Sequence, residues 1–254
     1  TVLRMATKRV DVVELEPAVI ESSWFFYEVN LLPYRDADKP AGRTELRELR
    51  PDPRLRVLSN DGRNFLASTP DRYDVVVSEP SNPCITGVAN LFTLDHFLAA
   101  RQALAPDGIF CQWVQLYELS GDSVKSILRT FADAFPYLRV FVAAPGSSDT
   151  ILVGSLSPLP FRIADIRLRL AGTDVSVALD VERSDITTAD DLLARQIFAD
   201  RDELLAFTGG ATINTDDNAF IEFRAPRDLI RYAVLDAEIV DQVYASSWHY
   251  GRPD

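Results

Sequence analysis

The sequence predicts an α/β fold, an open parallel sheet with helices on both faces. Three observations predict it. From Val10 to about Gly154, strand-like and helix-like segments alternate, the pattern of repeated β-α units. Three strand-like runs end abruptly: Val10-Asp11-Val12-Val13-Glu14-Leu15-Glu16, Leu55-Arg56-Val57-Leu58-Ser59 before Asn60-Asp61-Gly62, and Tyr73-Asp74-Val75-Val76-Val77-Ser78 before Glu79-Pro80-Ser81-Asn82-Pro83. After Ser155 the alternation stops. Residues 1–155 are therefore expected to form the α/β domain and residues 156–254 a mainly helical C-terminal appendage.

The elements follow in order. Val10–Leu15 is a strand. Pro17 opens a helix to about Val29, at the first turn, where its missing N–H is harmless. Residues 33–54 are rich in Pro, Arg and Asp and read as loop. Leu55–Ser59 is a strand and Gly62–Leu66 a short helix. Asp74–Ser78 is a strand followed by a loop to Phe92. Thr93 caps a helix over Leu94–Leu104, and Pro106-Asp107-Gly108 makes a turn. Ile109–Val114 is a strand. Ser120–Phe135 is a long helix with Val124, Ile127, Leu128 and Phe131 on one face. Leu138–Ala143 and Thr150–Gly154 form a strand pair across a Pro-Gly-Ser-Ser turn. Beyond Ser155, helices are expected from Thr188 or Asp190 through Phe198, over Asp202–Phe207 and over Asp228–Tyr244, while Ala219–Phe223 is a short apolar stretch.

Bulk composition narrows the function. The chain has 254 residues, 47% of them hydrophobic, and a formal net charge of -12. That composition supports a packed core. The negative charge disfavours nucleic-acid binding and favours cationic ligands. Two cysteines, Cys84 and Cys111, supply neither a disulfide framework nor zinc spacing, which fits a reducing, cytoplasmic compartment. No apolar run approaches the ~18 residues of a membrane span, so direct membrane insertion of this chain is not expected.

In an open parallel sheet, ligands bind outside the carboxyl ends of the strands, so acids placed there face a pocket. Glu14 can take both hydroxyls of a ribose, or be a solvated strand-end acid. Glu16 is a weaker candidate that can serve the following helix N-terminus. Asp61 can accept from an adenine amine while Gly62 lets the ring approach, or the pair makes a plain turn. Glu79 can take a proton from an attacking amine or hold an ammonium, and Asn82 can orient an amine through its carbonyl. Both also suit loop chemistry. Gln112, Gln115 and Tyr117 follow the Ile109–Val114 strand and can line a pocket wall, with ordinary strand-end polarity as the rival. Trp113 reads as core and His96 as structural. Asn214-Thr215-Asp216-Asp217-Asn218 lacks the spacing and Gly of a calcium loop. It reads as a turn, and no metal is expected.

Taken together, Val12-Val13-Glu14-Leu15-Glu16, Asn60-Asp61-Gly62, Tyr73 to Pro83, Asn90-Leu91-Phe92-Thr93 and Leu104-Ala105-Pro106-Asp107-Gly108 resemble the spermidine synthase family, the polyamine aminopropyltransferases. The resemblance spans roughly residues 9–154. With Ile213 to Asn218 and Ile221-Glu222-Phe223, the chain looks most similar to the spermidine-synthase-like domain of a bacterial membrane-fused subgroup, which implies a parent protein attached to a membrane. The resemblance implies a Rossmann-like, methyltransferase-type sheet. It also implies decarboxylated S-adenosylmethionine as co-substrate, no permanently bound cofactor, and a small cationic amine such as putrescine as acceptor. By the same resemblance Glu14 holds the ribose, Asp61 the adenine, and Asn82 helps to bind the amine; beside them, Gly62 is the candidate for leaving the ring room, and Gln115 and Tyr117 are the candidates for the amine-side pocket wall. Glu79 stands at the place of a catalytic Asp, one methylene longer. Asn82 stands at the place of a second Asp, without its charge.

The family's first strand and Gly-rich loop would lie before Thr1. The chain opens Thr1-Val2-Leu3-Arg4-Met5-Ala6-Thr7-Lys8-Arg9, which reads as the tail of a helix. An N-terminally truncated fragment lacking that strand, and binding nucleoside poorly by itself, is therefore expected. Family members form oligomers, so a homo-oligomer accords with the resemblance. Two other functions use the same fold: an S-adenosylmethionine-dependent methyltransferase, and a non-catalytic polyamine- or nucleoside-binding domain.

Overall fold

The computed structural model describes residues 3, 7–26, 34–35, 50–172, 185–231 and 237–246. The chain falls into two compact units, residues 1–65 with 162–189 and residues 66–161 with 190–254. The segment 156–254, anticipated as one appendage, thus contributes to both.

In the first unit, β1 (Val10–Glu14) and β4 (Leu55–Ser59) pair in parallel, from Val10 opposite Leu55 to Glu14 opposite Ser59. Both strands carry β-branched or Leu residues suited to a pleated surface. Arg56 of β4 grips Asp11 of β1 through two hydrogen bonds of 3.0 and 2.6 Å. The register sets Val12 against Val57, and both are exposed. Helix α1 (Pro17–Ser22) begins where expected, with the Glu16 carboxylate accepting from the Ala18 N–H at 3.0 Å. It stops earlier than expected, passing into a 3-10 turn over Ser23–Phe26, and the remainder to Val29 lies outside the described residues. Within the stretch read as loop, β2 (Tyr34–Arg35) and β3 (Arg50–Pro51) pair antiparallel. A helix over Ile163–Leu170 also belongs to this unit. Helix α2 (Gly62–Ser68) spans the boundary between the units.

The second unit holds a five-stranded sheet of β5 (Tyr73–Ser78), β6 (Leu104–Gln115), β8 (Asp149–Ser155), β7 (Tyr137–Val142) and β9 (Gln196–Phe198), in that spatial order. β5 and β6 are parallel, whereas the β6–β8, β8–β7 and β7–β9 ladders are antiparallel. The sheet is therefore mixed, not parallel throughout. The expected hairpin across the Pro-Gly-Ser-Ser turn forms, and β8, its second strand, lies against β6.

The turn expected at Pro106-Asp107-Gly108 is a bulge in a continuous strand. The β5–β6 pairing jumps from Tyr73 opposite Leu104 to Val75 opposite Ile109. Gly108 is needed for close approach, since a Cβ there would lie 2.7 Å from the Tyr73 carbonyl oxygen.

One sheet face carries Phe110, Val114, Leu138, Val140, Val142 and Leu152, all fully buried against helices. Two of these helices are α3 (Leu94–Gln102), with Thr93 as N-cap, and α4 (Gly121–Ala134), with Ser120 as N-cap. Val124, Ile127, Leu128 and Phe131 of α4 all face this core as their spacing predicts. Phe110 stacks on Phe135 at 5.6 Å, and Phe131 meets Phe135 at 4.8 Å. Each such ring contributes about 1.5–3 kcal/mol by burial. His96 is buried among these rings, tilted or edge-on to Phe97 and Phe110. The alternate residues Cys111, Trp113, Phe141, Ile151 and Val153 face the other side and are only half buried, so Trp113 is not core. Helices over Arg201–Thr208 and Phe220–Arg231 complete the packed layer. Ala219–Phe223 is thus the start of a helix. The helix read from Asp228 begins earlier, and a separate one covers Ala237–Ser246. No helix among the described residues is long and apolar enough to cross a membrane.

Candidate functional site

The first unit brings three of the sequence-selected residues to one edge. Glu14 ends β1 and Asn60-Asp61-Gly62 follows β4, and the parallel register puts both at the carboxyl ends of neighbouring strands. The Asn60 N–H donates to the Glu14 carbonyl at 3.0 Å and ties the two ends together. One Glu14 carboxylate oxygen accepts from the Glu16 N–H at 2.9 Å. The other has no partner among the described residues. Glu16 itself spends its carboxylate on the α1 N-terminus, the weaker role foreseen for it.

Asp61 caps α2, with Oδ1 accepting from the Asn64 N–H at 2.8 Å. Its own N–H donates to Asn60 Oδ1 at 2.8 Å. This fixes the Asp61 side chain by the Asx-type bonding that favours such residues before a helix. A Cβ placed on Gly62 would meet nothing within 4 Å, so the space above the turn is open.

The second unit builds a separate cluster from the loops after β5 and β6, two parallel strands in direct contact. Glu79 follows Ser78 at the carboxyl end of β5. It is exposed and has no hydrogen-bond partner among the described residues. Asn82 is half buried and committed at both ends of its amide. Oδ1 accepts from the Cys84 N–H at 2.8 Å, and Nδ2 donates to Glu118 Oε2 at 2.5 Å. The carbonyl foreseen as an amine acceptor is thus engaged with the backbone of its own loop.

Glu118 is the residue that sequence reasoning missed. It directly follows Tyr117 and sits with φ 59°, a left-handed conformation uncommon for a non-glycine residue. It was findable by the rule that selected the others, since it too is an acid beyond the carboxyl end of a parallel strand. What hid it was the distance of three residues from Gln115, the end of β6.

Gln115 is fully buried. Its Nε2 donates to the Tyr117 carbonyl at 3.0 Å, while Oε1 has no partner among the described residues. Gln112 is buried likewise, with Nε2 on the Trp113 carbonyl at 3.1 Å and Oε1 unpartnered. Neither glutamine is ordinary exposed strand-end polarity. Burial raises the Tyr117 phenol above its usual value, and the negative charges of Asp149 and Glu118 raise it further. Burial first, then Glu118 and Asp228, pushes the Cys84 thiol up to about 11. Its Sγ donates to the Ala225 carbonyl at 3.1 Å. The loop is anchored from behind: buried Asp228 accepts from the Ser120 N–H at 3.0 Å, the Ser120 hydroxyl at 2.7 Å and the Ser123 hydroxyl at 2.5 Å.

The segment 214–218 is a structural strut. Asn214 Nδ2 donates to the Phe92 carbonyl at 3.0 Å, and Asn214 Oδ1 accepts from the Ile221 N–H at 3.1 Å. Asp216 and Asp217 lie in the turn that follows.

Chemically, the first unit offers acceptors suited to hydroxyl and amine donors, and the second offers the carboxylates of Glu79 and Glu118, which pair with no cation among the described residues. Comparison with known proteins gives these features a context. Residues 1–147 match the family model described as the spermine/spermidine synthase domain. A polyamine aminopropyltransferase of Bacillus subtilis (strain 168) is 25% identical over 166 residues, covering 64% of this chain and 54% of that protein. Another, from Erwinia tasmaniensis, is 37% identical over 93 residues, covering 37% of this chain and 32% of that protein. The chain therefore spans about half, or less, of the curated relatives it matches. Among solved structures, a probable spermidine synthase from Corynebacterium glutamicum aligns with a TM-score of 0.50 at 18% identity, covering 82% of this chain and 63% of that one. That likeness is one of fold, α/β and Rossmann-like.

Proposed function

The chain belongs to the spermine/spermidine synthase domain family, and from that premise we propose that it carries the aminopropyl-transfer chemistry of a polyamine aminopropyltransferase. The donor in this reading is decarboxylated S-adenosylmethionine and the acceptor a primary amine of the putrescine class. The observation that carries it is a pair of carboxylates, Glu79 and Glu118, beyond the carboxyl ends of the adjacent parallel strands β5 and β6, with no cation paired to either among the described residues.

The amine nitrogen attacks the methylene carbon next to the sulfonium. A C–N bond forms, the C–S bond breaks with its electron pair returning to sulfur, and methylthioadenosine leaves. The sulfonium is already a good leaving group, so the protein supplies alignment and removal of the amine proton. Glu79 accepts that proton. Glu14 holds the ribose hydroxyls and Asp61 the adenine amine, with Gly62 leaving room for the ring. Asn82, Gln115 and Tyr117 shape the amine end. Ile213 to Asn218 and Ile221-Glu222-Phe223 support membership of the membrane-fused bacterial subgroup, with the reaction on the cytoplasmic side. The free thiols of Cys84 and Cys111 accord with that compartment.

Product analysis tests this reading. The chain, within the parent protein that the resemblance implies, is supplied with putrescine and, in parallel reactions, with decarboxylated or intact S-adenosylmethionine. Methylthioadenosine and aminopropylated amine, formed in equal amounts from the decarboxylated donor alone, are the expected result. A methylated product from the intact donor contradicts it.

A further inference from the structure

We propose that Glu118 is the anionic anchor for the acceptor's ammonium group, with Asn82 as the positioning residue that aims it. The proposal rests on the aminopropyl-transfer reading above and names the residue that gives its amine end a charge.

Asn82 is uncharged and attracts no ammonium by itself. Its amide orientation is fixed, because the Cys84 N–H occupies Oδ1 at 2.8 Å. That leaves Nδ2 to donate to Glu118 Oε2 at 2.5 Å. The negative charge of the Asn82–Glu118 pair therefore sits on the loop after β6, held by the loop after β5. Among the described residues the second Glu118 oxygen has no partner and no cation pairs with the carboxylate. A half-buried carboxylate left in that state interacts strongly with any cation that reaches it.

Gln115 adds an independent sign of a donor ligand. Its Oε1 is fully buried and has no partner among the described residues, an arrangement that costs free energy unless a donor fills it. Gln115 ends β6 and is tied to the loop that follows by its 3.0 Å bond to the Tyr117 carbonyl. A primary ammonium carries three N–H donors, so it can serve a Glu118 oxygen and still donate to a further acceptor. The Tyr117 phenol, raised first by its burial, is raised further by Asp149 and Glu118, which places it beside the same carboxylate. Glu118 holds its position with φ 59° because Leu119 is buried after it and Ser120 is bound by Asp228. Backbone strain persists where the surroundings over-determine it.

The test measures putrescine affinity and the kinetics of aminopropyl transfer for the chain within that same parent protein. Glu118→Gln is expected to raise KM for putrescine by about tenfold or more, the scale of a lost charge-assisted hydrogen bond, with a much smaller change in kcat and in methylthioadenosine affinity. Its putrescine affinity should also depend less on salt than that of the unaltered protein. Glu118→Asn, which removes the charge while suiting a left-handed backbone, gives a second readout should the Gln variant fold poorly. Adding Asn82→Asp to Glu118→Gln should restore part of the affinity by moving the charge back across the pair. Unchanged putrescine affinity in both Glu118 variants overturns the assignment and leaves the aminopropyl-transfer reading standing. An unaltered protein that neither binds putrescine nor transfers to it overturns both.

Discussion

The carboxylates of this chain differ in what surrounds them, and that decides what each can do. Glu16 and Asp61 give an oxygen to a helix N-terminus, Asp11 and Asp52 are paired with arginines, and Asp228 is consumed by two serines. Glu79 and Glu118 keep capacity for a ligand. Position at a strand end was legible in the sequence for Glu14, Asp61 and Glu79, because abrupt polar endings of Val-rich runs are local features. The Asn82–Glu118 bond was not legible, since it joins loops 36 residues apart and no local pattern encodes it. The thiols give a prediction at the same scale. Cys84 and Cys111 are both raised to about 11 from a usual 9.0, chiefly by burial. The raised folded value means that the neutral thiols favour the fold up to about pH 9, a contribution lost as pH rises through about 11. Alkylation by iodoacetamide should therefore be slow at pH 8 in the folded protein and fast after unfolding in urea. Mass spectrometry reads the difference, and equal rates in the two states would contradict the burial.

At the scale of elements, periodic helices were the most legible. The 124, 127, 128, 131 spacing of α4 predicted its buried face because packing on one side imposes that period. Strand existence was legible too, whereas strand partnering was not. β8 lies between β6 and β7, and β9 joins from beyond residue 190. Such choices depend on contacts far apart in sequence. Pro106-Asp107-Gly108 shows the limit of turn chemistry: the same residues serve a bulge, and the neighbouring strand decides between the two. Gly154 was likewise silent in the sequence. A Cβ there would lie 2.5 Å from the Phe135 ring, so the glycine makes room for the aromatic stack. Gly154→Ala should destabilise the second unit by about 1–3 kcal/mol, the usual cost of overpacking. Urea denaturation followed by tryptophan fluorescence measures it, and a midpoint equal to that of the unaltered protein would contradict the packing described.

At the scale of the whole molecule, the two units divide the proposed chemistry. The first presents Glu14, Asp61 and Gly62, the residues read as holding the nucleoside. The second presents Glu79, Asn82, Gln115, Tyr117 and Glu118, those read as handling the amine. The net charge of -12 suits a cationic substrate and disfavours a phosphate backbone. The α/β class was legible in the whole sequence, because alternation of strands and helices is a global pattern. The division into units was not, since residues 162–189 leave the neighbouring segments and pack with the first 65. The central claim is that Glu79 takes the proton of an attacking amine. It is tested most directly by the steady-state rate of methylthioadenosine release from decarboxylated S-adenosylmethionine and putrescine, with Glu79 intact and as Glu79→Gln. The account predicts a fall in kcat of about 10²–10⁴-fold with KM for putrescine little changed. An unchanged kcat would contradict it.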